Sequence, residues 1–143
     1  NAKNAAKINK LKTNMNSFMR RKKGPKGMMW TCFTDCQEKL YGERNRYKDA
    51  FLALNARAIN DHRDNGRLAY MANRYCVPPV RDFFNGHNLG INEEKIALSE
   101  MLQWIWRSRI RDNKEIVVYI PSKRMRNLLK GWIEDVSKGG DAE

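Results

Sequence analysis

Apolar residues along this chain follow two patterns, helical spacing and short continuous runs. Helical spacing predicts helices over residues 5–21, 34–41, 68–75, 93–111 and 122–136. Short apolar runs predict strands over residues 28–33, 50–54 and 115–120, although the alanine and leucine content of residues 50–54 leaves a helix possible there. Thr34 or Asp35 can cap the second helix. Glycine, proline, asparagine and aspartate cluster at residues 22–27, 60–66 and 85–92 and predict loops there. Because strands that alternate with helices form parallel sheets, the predicted fold class is α/β, with a small parallel sheet of about three or more strands covered by helices.

Basic residues are concentrated near the amino terminus. Residues 1–27 contain nine lysines and arginines and no acidic residue, whereas the rest of the chain holds nineteen basic and sixteen acidic residues. We therefore expect a basic amino-terminal helix and loop at residues 1–27, followed by the α/β domain at residues 28–143. A polybasic segment is typical of phosphate-backbone binding, although a solvated helix or a disordered tail has the same composition.

Seven basic residues are candidates for phosphate contacts. They lie at the end of the first predicted helix and at the start of the last one: Arg20, Arg21, Lys22, Lys23, Lys123, Arg124 and Arg126. For the last three, an ordinary solvated helix start is an equal alternative.

The first predicted helix also carries an apolar stripe. Its members are Ile8, Leu11, Met15, Phe18 and Met19. A stripe of this kind usually packs on the core of its own protein. The alternatives are an anionic membrane surface, which is disfavoured, and a docking surface for a partner helix.

The sequence indicates where in the cell the protein is expected. No apolar run approaches the roughly 20 residues that span a bilayer, and no secretory signal is present, so the expected location is the cytoplasm.

The chain has three cysteines, a number that is both small and odd, so a disulfide framework is not expected. A zinc site from Cys32, Cys36 and Cys76 with His62 or His87 is disfavoured, because Cys32 falls in an apolar strand and the ligand spacing is wrong. The chain begins at Asn1 without a methionine, and we expect excision from a longer protein.

Three donor-rich residues recur every four positions in the long predicted helix. Gln103, Arg107 and Arg111 would share one helical face, and guanidinium groups bind phosphate oxygens in pairs. A solvated basic face is the plain alternative. Trp104 and Trp106 diverge around the same helix, so one should be buried and the other should lie nearer the arginines.

This segment, followed by a turn and the strand sequence EIVVYIP, resembles the sixth conserved motif of superfamily 2 helicases, which lies in the second RecA-like domain. Trp106 stands where that family has glycine, and Arg111 is four residues after Arg107, whereas the family spacing is three. The sequences MMWTCFTDCQEKLYG and FLALNARAINDHRDNGRLAY are similar to the opening strand and helix of that domain and to its fifth motif, in the form found in phage and mobile-element proteins.

The resemblance implies an ATP site with Mg²⁺ between two RecA-like domains. Arg107 and Arg111 would then act catalytically on the γ-phosphoryl group, while Gln103, Asn55 and Arg57 would contact or couple the nucleotide. Asn60 is a further candidate beside Asn55 and Arg57, and an ordinary loop with capping residues is an equal alternative for these three. Phosphoryl transfer relies on such positioning and charge stabilisation. This chain has no phosphate-loop motif, so it would complete the site of an upstream RecA-like domain and would bind no cofactor alone.

The leading prediction is therefore the carboxyl-terminal domain of an ATP-dependent helicase-like protein. Its partners would be nucleic acid, with DNA favoured over RNA, and the upstream domain, but no membrane. A non-enzymatic nucleic-acid-binding module and a protein-interaction domain are the alternatives.

Overall fold

The computed structural model describes residues 2–41, 43–55, 62–73, 86 and 92–140. The elements, in chain order, are α1 (Ala2–Met19), β1 (Met28–Thr31), α2 (Thr34–Leu40), β2 (Arg67–Tyr70), α3 (Glu93–Ile105), β3 (Val117–Tyr119) and α4 (Lys123–Gly140). Short 3-10 helices occur at Glu43–Asn45 and Arg109–Asp112. The predictions for Arg57, Asn60, Cys76, His87 and most of the loop 85–92 fall outside these described residues.

The three strands form a parallel sheet in the order β1-β2-β3. Met28 lies opposite Arg67, and Arg67 lies opposite Val117, so the strands begin at nearly the same level. On the outer edge of β1, Phe51 forms a single parallel bridge with Trp30, and this bridge is what the structure shows of the strand predicted at residues 50–54. The predicted α/β fold with a small parallel sheet is confirmed.

The central strand is where the sequence-based prediction was wrong. Residues 68–75 were predicted to be helical, but Arg67–Tyr70 is strand β2, and all four of its residues are buried. A central parallel strand is covered on both faces and therefore shows a continuous apolar run without alternation. Over so few residues, that run cannot be distinguished from a buried helical turn by periodicity.

Helices cover both faces of the sheet. On one face, α3 and α4 contribute Trp104 and Met125 to a core with Leu68 of β2. On the other face, Met15 and Phe18 of α1 pack in a cluster that includes Trp30, Ala69 and Leu40. The predicted packing of the α1 stripe on the core is confirmed, so this stripe is not a free docking surface.

Helix α3 is shorter than predicted. It ends at Ile105, not at Arg111, with Trp106 as its C-cap. Ser108 then adopts an extended backbone (φ −82°, ψ −174°), and its buried hydroxyl donates to the Ile105 carbonyl at 2.7 Å. The backbone N–H of Arg109 donates to the carbonyl of Asn65 at 3.0 Å. A bond to another loop replaces the helical bond, and the helix stops.

Two helix ends also differ from prediction. Helix α4 continues to Gly140, past the predicted end at Val136, and Gly131 lies inside it. Helix α2 begins after Phe33, with no side-chain cap, so neither Thr34 nor Asp35 caps it. None of the helices in the described part of the chain is both long enough and apolar enough to cross a bilayer.

Candidate nucleic-acid interface

Three loops meet at the amino ends of the strands. They are residues 20–27, 62–66 and 106–115, and together they form what we call the amino-end surface. The N–H of Gly66 donates to the carbonyl of Lys26 at 2.9 Å, and the N–H of Arg67 donates to that of Gly27 at 2.8 Å. The N–H of Arg109 joins the third loop to the second, through its bond to the Asn65 carbonyl. Backbone hydrogen bonds thus hold all three loops together.

Glycine makes this close approach possible at two positions. A Cβ on Gly66 would lie 2.6 Å from Cβ of Pro25 and 2.7 Å from Nε of Arg109, so the three loops touch where it stands. Gly27 has φ +77°, a conformation that side-chain-bearing residues rarely adopt. Its missing Cβ would lie 2.9 Å from Cα of Asn65.

A buried arginine fixes the first loop. Arg67 is 6% exposed, and its guanidinium donates to the carbonyls of Met19 at 3.0 Å, Lys23 at 2.9 Å and Arg21. Because these carbonyls turn inward to one cation, the loop has a defined backbone course. The four basic side chains at residues 20–23 remain exposed to solvent.

The amino-end surface accounts for more than half of the net positive charge of the chain. Its three loops contain ten basic and three acidic residues, a formal net charge of +7 out of +12. One of the acids, Asp112, is paired with Arg63 at 2.7 Å. The hydrogen bond from Arg63 holds the pKa of Asp112 below its ordinary value of 3.8, so this carboxylate stays ionised and its charge is balanced by a neighbour.

The predicted strip of Gln103, Arg107 and Arg111 is not one helical face, because the helix ends between its first and second members. All three side chains nevertheless line one groove, which we call the α3–α4 groove. It has a volume of about 930 Å³ and lies between the end of α3, the third loop and α4. Apolar side chains form most of its wall: Leu102, Ile105, Trp106, Ile110, Ile116, Val118, Leu129, Trp132 and Ile133.

The two tryptophans on either side of Ile105 differ in exposure, as predicted. Trp104 is fully buried, and its indole N–H donates to the Leu52 carbonyl at 3.0 Å. Trp106 is 60% exposed and lines the groove beside Arg107. The prediction for this pair is confirmed.

The opposite end of the sheet has a different electrostatic character. The described segments at the carboxyl ends, residues 32–35, 71–73, 92–95 and 120–126, contain four basic and three acidic residues. Arg124 is largely buried there, and its guanidinium donates to Glu94 at 3.1 Å and to Asn73 at 3.0 Å. Arg124 thus joins the start of α3 to the segment after β2, and its predicted phosphate contact stays a prediction.

The remaining predicted site residues are scattered. Lys123 is exposed at the carboxyl end, and Arg126, also exposed there, donates to the Ile120 carbonyl at 2.9 Å. Asn55 follows Phe51 on the far edge of the sheet from β3, so the structure does not place it with the groove residues. The predicted sets for the nucleotide and for nucleic acid are therefore each divided between different parts of the molecule.

The candidate zinc ligands are also separated. Cys32 lies just after β1, at the carboxyl end, whereas His62 lies in the second loop of the amino-end surface. Burial, followed by the influence of Cys36, raises the pKa of Cys32 to about 12.

Sequence reasoning missed Arg63 and Arg67. Neither arginine has a lysine or arginine directly beside it in the sequence, whereas residues 20–23 are four consecutive basic residues. The two glycines that bring the loops together, Gly27 and Gly66, each immediately precede a strand. A glycine directly before each strand could have indicated that the loops approach one another closely there.

The comparisons with known proteins give a family and a fold. The family model described as the YonV C-terminal Rossmann-like domain matches residues 1–133. The chain is 41% identical over 128 residues to the SPbeta prophage-derived uncharacterized protein YonV of Bacillus subtilis (strain 168). This match covers 88% of the chain and 31% of the relative. No solved structure matches the chain.

Proposed function

The chain belongs to the family of YonV C-terminal Rossmann-like domains, and from that premise we propose that it is a nucleic-acid-binding domain of a phage-related protein. The observation that carries this proposal is the amino-end surface, where ten basic residues from three separate loops lie at one end of the sheet. A polyanion is the ligand that such a surface attracts most strongly.

The distribution of charge supports phosphate-backbone binding more than nucleotide binding. A small nucleotide in a parallel sheet normally binds at the carboxyl ends of the strands. In this chain, the described segments that follow the strands at that end have a net charge of +1, and Arg124 there is engaged with Glu94 and Asn73. Most of the basic residues at the other end are spread over the three loops, and two of the ten, Arg107 and Arg111, line the α3–α4 groove.

The exposed side chains suit contacts with successive phosphates. Arg20, Arg21, Lys22 and Lys23 lie on a loop whose backbone is fixed by Arg67. Since their backbone is already ordered, binding costs less conformational entropy than it would for a disordered tail. Exposed lysines of α1 extend the positive charge away from this loop.

The ATP half-site implied by the helicase resemblance is the second candidate. Its support is that Gln103, Arg107 and Arg111 line one groove. Its weakness is that this groove is mostly apolar and lies toward the amino ends of the strands. If this candidate is right, Arg107→Ala in the intact protein abolishes ATP turnover and leaves nucleic-acid binding largely intact.

The proposal predicts salt-dependent binding that depends on one end of the molecule. Fluorescence anisotropy with labelled DNA and RNA of roughly 20 nucleotides should show log K falling linearly with log salt, by about 0.7 to 0.9 per phosphate neutralised. Lys22→Glu with Lys23→Glu should weaken binding at least about tenfold, because two phosphate contacts become repulsive.

The matched control is Lys95→Glu with Lys123→Glu. It makes the same change in net charge at the carboxyl end, and glutamate is tolerated near a helix amino terminus. Its affinity should stay close to that of the unmodified chain. Equal losses in the two double variants, or no binding at low salt, would refute the proposal.

A further inference from the structure

An apolar surface remains exposed on α4, outside the contacts that stabilise the sheet. Trp132 is 39% exposed, Ile133 49% and Val136 53%. The first two line the α3–α4 groove, and Val136 continues the same side of α4 beyond it. Large apolar side chains that are exposed together mark an interaction site more often than isolated ones do.

The spacing of these residues fits a helical partner. Leu129, Ile133 and Val136 are separated by four and three positions, so they form a stripe along two turns, or about 10 Å. An amphipathic helix presents a stripe of the same period and length. A small molecule held within the groove would leave Val136 uncovered.

The polar rim of the groove determines the charge of that partner. Gln103, Arg107 and Arg111 are the polar side chains that line it, and the described lining residues include no carboxylate. Arginines beside an apolar wall complement acidic residues that flank an apolar stripe.

We propose that the α3–α4 groove docks an amphipathic helix whose apolar stripe is flanked by glutamate or aspartate. The helix packs its apolar residues against Trp106, Trp132 and Ile133, and its carboxylates pair with Arg107 and Arg111. These two arginines also belong to the amino-end surface, so an acidic helix and nucleic acid compete for them.

The test uses a synthetic amphipathic peptide of about 18 residues, with leucines at helical spacing and glutamates on both flanks. One matched peptide carries lysines in place of the glutamates, and another has the glutamate sequence scrambled, as a control for attraction to net charge. The glutamate peptide should bind about tenfold or more tightly than either control. Tryptophan emission should shift to shorter wavelength as Trp106 and Trp132 are covered.

Reversing the charge of the two groove arginines tests whether they determine which peptide binds more tightly. Arg107→Glu with Arg111→Glu should reverse the preference, so that the lysine peptide binds more tightly than the glutamate peptide. Lys138→Glu, on the exposed end of α4 and absent from the groove lining, is the control that should leave the preference unchanged.

A crossed pair of variants separates this inference from the proposed function. Ile133→Glu should abolish binding of the glutamate peptide and spare nucleic-acid binding, whereas Lys22→Glu with Lys23→Glu should do the opposite. Three results would each overturn the inference: equal affinity for the matched peptides, no binding with unchanged tryptophan emission, or a dimer that Ile133→Glu converts to a monomer. In the last case a second copy occupies the groove.

Discussion

Arg67 shows how one side chain orders the proposed interface. It is buried within the start of the central strand, and its guanidinium donates to backbone carbonyls of the first loop and of the end of α1. Charged donors form stronger hydrogen bonds than neutral ones, and unpaired buried carbonyls are costly. Arg67 therefore connects the fold of the core to the course of residues 20–23.

Arg67→Met should lower the free energy of unfolding by about 2–4 kcal/mol, because it leaves three carbonyls without their donor while keeping most of the side-chain volume. Urea unfolding followed by circular dichroism measures the change. Arg63→Met is the matched control, since Arg63 is exposed and its ion pair with Asp112 faces solvent. Equal losses in the two variants would contradict this role for Arg67.

The role of Arg67 could not be predicted from the sequence. Its carbonyl partners lie 44 to 48 positions earlier in the chain, and nothing local marks them. The divergence of Trp104 and Trp106 was predicted correctly, because it depends only on the roughly 100° turn per helical residue. At this scale, prediction succeeds for local geometry and fails for tertiary hydrogen bonds.

Helix ends were predicted less well than the helices themselves. The apolar spacing of α3 runs on to Ile110, so the sequence favours a longer helix. The Ser108 hydroxyl and the bond from Arg109 to Asn65 end the helical hydrogen bonding earlier. Even so, Gln103, Arg107 and Arg111 stay together, because Ile110 and Arg111 of the 3-10 helix also line the α3–α4 groove.

The continuity of helix α4 through Gly131 can be tested by substitution at that position. Gly131 lies exposed in its interior, and a Cβ added there would meet no heavy atom within 4 Å. Gly131→Ala should therefore raise the free energy of unfolding by about 0.5–1 kcal/mol, since alanine loses less backbone entropy in a helix.

Chemical denaturation of the variant and the unmodified chain measures this gain. Gly27→Ala serves as the opposite case, because the positive φ at Gly27 and the nearby backbone of Asn65 leave no room for a Cβ. It should destabilise the fold. An unchanged midpoint for Gly131→Ala would contradict a continuous helix through this position.

The whole molecule has two unlike ends, and this asymmetry was only partly predictable. The alternation of helices and strands correctly predicted the parallel sheet, and the basic segment at residues 1–27 indicated part of the positive surface. The rest comes from loops far apart in sequence, which meet only because each precedes a parallel strand. In a parallel sheet, residues that follow a crossover helix and precede a strand lie at the amino end of that strand. Arg111 lies between α3 and β3, so its place at the amino end of the sheet could have been predicted from the order of the elements.

Binding of nucleic acid at the amino end of the sheet can be located residue by residue with a ¹H–¹⁵N NMR titration against a short DNA strand. We expect backbone shifts concentrated in residues 20–27, 62–66 and 106–115, with few at residues 32–35, 71–73, 92–95 and 120–126. Shifts centred on the carboxyl-end segments, or a spectrum unchanged by DNA at low salt, would contradict the proposed interface.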